Sequence, residues 1–228
     1  MTDVERSAPT TPHGRADGPA PVLRRAAAHA PLLDADRTHG RWPWLAAVAA
    51  PVATAALLSR PGALRADHRW ALWSAPVALL WHQTEEWFLP GGFLPWMNRA
   101  VIGSDDDEFP ITRRDGLLIN VAVGWGLTAG AAAGGMRTPA LGAAALSVDV
   151  ANGLMHVGLA LRDRRWNPGA ATSALLFLPL GVAGLAAIAR DPRGGRRPLA
   201  VGVAVGALSG AGTFVGMRVK LARRRRRG

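Results

Sequence analysis

From residue 42 onward the chain reads as long apolar runs separated by short polar breaks. Each run holds roughly 17–23 residues, the length that carries an α-helix across a ~30 Å hydrocarbon core. The pattern predicts six such helices, over 42–59, 70–89, 111–135, 139–161, 170–189 and 198–217. Pro90-Gly91-Gly92 closes the second run and Asn167-Pro168-Gly169 precedes the fifth, both of them combinations that interrupt a helix. Trp42 and Trp44 stand where a helix enters the interfacial layer, and Pro51 predicts a kink. Glycines recur every fourth residue at Gly126, Gly130 and Gly134, and again at Gly202, Gly206 and Gly210. That spacing predicts stripes along which helix backbones approach closely. The expected fold class is therefore all-α, a polytopic membrane helix bundle of about six transmembrane helices within 42–217.

The two ends of the chain read differently. Residues 1–41 are rich in Pro, Ala, Arg and Asp without a sustained apolar period, which predicts a disordered tail with at most a weak helix over 22–33. The stretch does not resemble a cleaved signal peptide. Residues 218–228 predict a basic tail. Cysteine is absent from the 228 residues, which excludes disulfides and thiolate-ligated metals. The formal charge of +11 sits mainly in Arg223 to Arg227 and in short loops, a topogenic pattern rather than a nucleic-acid footprint. The partners expected are membrane lipids and a lipid-like small molecule, with no nucleic acid. Placing the N-terminus inside puts fifteen Lys and Arg on the cytoplasmic flanks of the spans against eight opposite. The expected location is the inner (plasma) membrane, multi-pass, with both termini cytoplasmic.

Against this apolar background a few polar residues stand out. His82, Glu85 and Glu86 lie in the second run, with the imidazole three and four residues from the carboxylates and so on one side of a helix. Asn120 lies in the third run, and Asp149, Asn152 and His156 are spaced along one face of the fourth. With both termini inside, all of them fall at the middle or inner half of their spans. Ionisable groups at membrane depth are expensive and mark functional sites within a bundle. The acidic run Asp105 to Glu108 lies in the longest internal loop and reads as solvated, a divalent-cation site being the alternative.

Three elements in order, His82-x-x-Glu85-Glu86, Asn152-Gly153-Leu154-Met155-His156 and Arg165-Trp166-Asn167-Pro168-Gly169, resemble the HXXEE family of bacterial membrane proteins over about 70–189. The resemblance implies a helical membrane fold and marks these elements, and it implies no particular reaction. The residues themselves suggest chemistry. Two ligands four apart on a helix with a carboxylate between them resemble the inverted zincin pattern, Glu86 replacing the second histidine. His82, Glu86 and His156 would then hold one divalent ion, zinc or iron, with Glu85 as general base, Glu86 close to the reacting centre, and Asn120, Asp149 or Asn152 orienting ligands. An enzyme of this kind acting on a lipid-like or isoprenoid substrate is the leading expectation. A metal-free isomerase or cyclase would use Glu85 and Glu86 as acid and base, with Trp81 and Trp87 stabilising a cationic intermediate. A third reading is non-enzymatic: ligand binding, transport, or polar contacts that only hold helices together.

Overall fold

The computed structural model describes residues 40–59 and 68–227. Of the tail expected over 1–41, residues 1–39, with the weak helix, lie outside the described residues. The described residues are helical with no strand. Helix α1 is Trp42–Leu58 and α2 is His68–Trp87. A short element, α3, joins Phe93–Pro95 to the π-helical Trp96–Ile102. The long helices α4, Arg113–Arg137, α5, Pro139–Asp163, α6, Ala170–Arg190, and α7, Arg196–Arg225, complete the chain.

Four of these, α4 to α7, are long and apolar enough to cross a membrane. The expectation of six spans is met at that standard by four. Helix α1 has 17 residues, a length of about 26 Å. Helix α2 has 20, but His82, Gln83, Glu85 and Glu86 make it less apolar than a lipid-facing span. Those polar side chains are all buried, so α2 is the polar axis of the bundle and its neighbours carry the apolar surface. Leu154, Leu161, Leu175 and Leu208 are each at least 60% exposed, which a bilayer accommodates and water would not.

Packing follows small residues, though not everywhere along the expected stripes. Gly202 and Gly206 of α7 press against the α5 backbone, where a Cβ at Gly206 would lie 2.8 Å from Ser147 Cβ and 2.9 Å from the Ala144 carbonyl oxygen. Gly210 has open space, and so do Gly126 and Gly130. The buried side of α4 is instead the face bearing Thr128, Ala131 and Ala132, with Gly124 set against Leu79. The glycine stripe of α4 was legible as a spacing, but its rotation about the helix axis turns it away from the bundle.

Three buried clusters run along α2. Leu72 and Ala75 pack with Met136, Ala143, Leu146 and Ile188 at one end. Ala78 and Leu79 meet Phe177 at the middle. Beyond Trp87, the segment 93–111 folds back as a cap in which Leu94, Met97, Ile102 and Ile111 bury against Leu221 of α7. Asn98 holds this cap together: its amide donates to the carbonyls of Asp107 and Ile111, and its Oδ1 accepts from Ile111 N–H at 3.0 Å.

Residues 218–225, expected as a tail, continue α7 and dock on the cap. Arg224 Nη1 lies 2.8 Å from Asp106 Oδ2, Lys220 Nζ lies 2.9 Å from Asp115 Oδ2, and Arg225 donates to the Gly103 carbonyl at 2.8 Å. Arg99 pairs with Asp107, and Arg113 with Glu108. The Arg224 hydrogen bond holds the Asp106 carboxyl below the ordinary aspartate range. Asp106, Asp107 and Glu108 are therefore engaged by arginines, an arrangement that favours the solvated-loop reading over a cation site.

Candidate metal centre

Where α2, α5 and the start of α6 meet, the polar side chains converge. His82 and Glu86 occupy successive turns of α2, and His156 faces them from α5. His82 Nε2 lies 3.3 Å from Glu86 Oε1, and His156 Nε2 lies 3.4 Å from the same oxygen. All three residues are buried, and their ligand atoms lie within 4.8 Å of one another. A tetrahedral ion with bonds of about 2.0–2.1 Å separates its ligand atoms by roughly 3.4 Å. The group could therefore hold a metal ion with little movement.

The partners outside the triad fix which ring nitrogen faces inward. Asn167 donates from Nδ2 to the His156 carbonyl at 2.8 Å, which orients its amide. Its Oδ1, 2.8 Å from His156 Nδ1, must then accept the Nδ1 proton. On the other side, the Thr172 hydroxyl donates to Glu85 Oε2 at 2.6 Å, so it can only accept from His82 Nδ1 at 2.9 Å. With Nδ1 turned outward in each ring, both imidazoles point Nε2 at Glu86. His156 Nε2 is buried with no hydrogen-bond partner among the described residues. Asn152 Nδ2 approaches His82 Nε2 at 3.1 Å. The Asn152 amide can donate to the His82 Nε2 lone pair, whereas His156 Nε2 and Glu86 Oε1 face each other across a gap that a proton or a metal ion would fill.

Backbone geometry and aromatic rings hold the two imidazoles. Gly169, at φ +100°, passes so close that a Cβ there would lie 2.7 Å from His82 Cε1 and 2.8 Å from His156 Cε1. The Asn167-Pro168-Gly169 turn is thus a wall of the site. Trp96 of the cap stacks on His156 with ring centroids 5.0 Å apart, and Phe177 lies against His82 at 4.3 Å.

The remaining site expectations distribute as follows. Glu85, expected as a general base, has both oxygens occupied at the first turn of α6: Oε1 accepts from Ala171 N–H at 3.0 Å, and Oε2 from Thr172 N–H at 2.7 Å as well as from the hydroxyl. The free N–H groups and positive end of that helix draw in a carboxylate, so Glu85 ties α2 to α6 and orients His82 through Thr172. Asn120 does not join the triad. It accepts from Gln83 Nε2 at 3.0 Å, while Gln83 Oε1 accepts from Trp125 Nε1 at 2.8 Å. Gln83 follows His82 and so projects about 100° round the helix, toward α4. Asp149 is buried on the α5 face that carries Asn152 and His156, and has no hydrogen-bond partner among the described residues. Trp81 donates to Thr54 Oγ1 of α1, and Trp87 packs against Trp42 and Phe93. The aromatic rings beside the histidines are Trp96 and Phe177 instead. Thr172, Gln83 and Phe177 carried no sequence signal beyond their positions; Thr172 is the third residue of its helix, whose N-cap is Gly169.

No curated protein and no solved structure matches the chain. Residues 73–183 match a family described as proteins of unknown function with an HXXEE motif. The matched segment begins about two and a half turns before His82 and ends within α6, so it encloses every residue of the triad together with Asn167, Gly169 and Thr172. Over that segment, carrying His82, Glu85 and Glu86 as its motif, the chain is similar to the HXXEE family.

Proposed function

We propose that the protein is a membrane-embedded, metal-dependent enzyme in which His82, Glu86 and His156 hold one divalent ion, zinc or iron. The observation that carries this reading is the convergence of two Nε2 lone pairs on one carboxylate oxygen, at 3.3 and 3.4 Å, with His156 Nε2 otherwise unpartnered. One metal ion would be coordinated by all three atoms at once, whereas protons would serve the two contacts one at a time. When bound, such an ion supplies a Lewis acid for water or for a substrate oxygen. The chain's own contributions are positional. Asn167 and the Thr172–Glu85 pair hold both Nδ1 atoms outward and turn both Nε2 atoms toward Glu86. Asn152, less buried than the triad, carries an amide donor aimed at its edge and is the group suited to meet a substrate oxygen.

The substrate proposed is lipid-like or isoprenoid, because the site lies among helices whose outer faces are apolar, and it would arrive from the bilayer or the cytoplasmic side. With both termini cytoplasmic, in a bacterial inner membrane, the triad lies in the inner half of the bundle. The metal-free acid/base reading needs a Glu85 free to exchange protons, and the three hydrogen bonds it accepts from α6 favour a positioning role. Elemental analysis of detergent-purified protein, prepared without chelators, tests the proposal. Wild type is expected to carry about one zinc or iron per chain and His82→Ala almost none, with helical circular dichroism retained. Wild-type protein without stoichiometric transition metal would overturn the reading.

A further inference from the structure

The last turns of α7 contact the cap and the start of α4 through Arg218, Lys220, Arg224 and Arg225. Between this helix end and Phe109 of the cap lies an open groove of about 780 Å³ whose floor is Phe109, Gly216 and Val219. Arg223 and Arg227 stand over this floor together with Lys220 and Arg224. Neither Arg223 nor Arg227 has a carboxylate partner among the described residues. Gly216 leaves open space where a side chain would be, and Val219 is 43% exposed.

The polarity of the groove is graded along the helix. Gly216 and Val219 adjoin the apolar stretch of α7, and Arg223 and Arg227 follow one and two turns later, about 6–17 Å along the axis. That is the order in which acyl chain and headgroup phosphate occur at the edge of a bilayer. Arg224 and Lys220 flank the Phe109 ring at 4.5 and 5.4 Å, keeping cations over an apolar surface. We infer that this groove is a binding site for an anionic phospholipid, its phosphate held between Arg223 and Arg227 and an acyl chain laid along Gly216 and Val219. A soluble anion would leave the apolar floor uncovered, and a zwitterionic lipid would bring its own cation against Arg223 and Arg227, whose charge no carboxylate among the described residues offsets. The site is separate from the triad and does not depend on a metal there.

Native mass spectrometry of the full chain in detergent, titrated with dioleoylphosphatidylglycerol or dioleoylphosphatidylcholine, reads the difference directly because the acyl chains are identical. The first phosphatidylglycerol is expected to bind at least about tenfold more tightly, each juxtamembrane arginine strengthening anionic-lipid binding severalfold. Arg223→Gln with Arg227→Gln should reduce that preference to near parity, while Arg223→Lys with Arg227→Lys should keep most of it. Arg137→Gln with Arg190→Gln, far from the groove in sequence, should change nothing. Equal binding of the two lipids by wild type would overturn the inference. So would a phosphatidylglycerol preference that survives the glutamine pair, or one that glycerol 3-phosphate abolishes at similar concentration.

Discussion

A methyl group at Gly169 would sit between the two imidazoles, within 2.8 Å of a carbon on each, at a backbone φ that L-residues rarely adopt. Gly169→Ala is therefore expected to cost about 1–3 kcal/mol from the backbone alone, and more from displacing His82 or His156. Its melting temperature should fall and its metal content should fall with it. Glu85 gives a sharper contrast. A carboxylate free to act as a base could become Gln without touching the metal. Here Glu85→Gln sets an amide N–H₂ against the donors of Ala171 and Thr172 and releases His82 Nδ1. Metal affinity is expected to drop about 10–100-fold, as measured by competition with a chromogenic chelator. Unchanged affinity would restore the base role. Glu86→Gln removes a ligand itself and should leave little bound metal at all.

At the level of elements, the cap over the triad is held by side chains from a helix more than a hundred residues away. Each exposed pair in the clasp contributes at most about 0.2–1 kcal/mol, so the Asp106–Arg224 and Asp115–Lys220 contacts matter as a set. Replacing Lys220 and Arg224 together with Gln is expected to speed hydrogen exchange over 96–102 several-fold while leaving α5 protected. Because Arg224 lowers the Asp106 pKa, the contribution of this pair is complete above the ordinary aspartate value near 3.9. It is lost only as pH falls through the lowered value. Protection of the cap, corrected for intrinsic exchange, should therefore stay flat from neutral pH down to about pH 5. A loss near pH 6 would point to a different group holding the cap.

For the whole molecule, the arrangement of basic residues makes a statement about sidedness. Reporter fusions after Gly228 and within 60–67 are expected to report opposite faces, the C-terminal one cytoplasmic. A reporter active outside the cytoplasm at Gly228 would invert the bundle and move the triad to the other half of the membrane. It would leave the triad as a unit intact, since that rests on contacts among α2, α5 and α6 and not on orientation.

What the sequence determined by itself was whatever depends on one helix at a time. Run length and apolarity predict helices and their approximate limits, and a three- and four-residue spacing places His82 beside Glu85 and Glu86 whatever surrounds them. The order of the motifs then marks α5 and the turn before α6 as their partners. Which side chains actually meet depends on how each helix is rotated about its axis and how deeply it sits, and those are settled by packing between residues far apart in the chain. Tertiary structure alone therefore decided that Asn120 stands apart from the cluster that His156 joins, because α5 turns its His156 face toward α2 while α4 offers Asn120 to Gln83. It likewise decided that Glu85 serves the first turn of α6, that Gly126 and Gly130 face outward, and that the basic end of α7 closes on the cap. A residue's spacing within its own helix is a local property, whereas the partner it finds is a property of the assembled bundle.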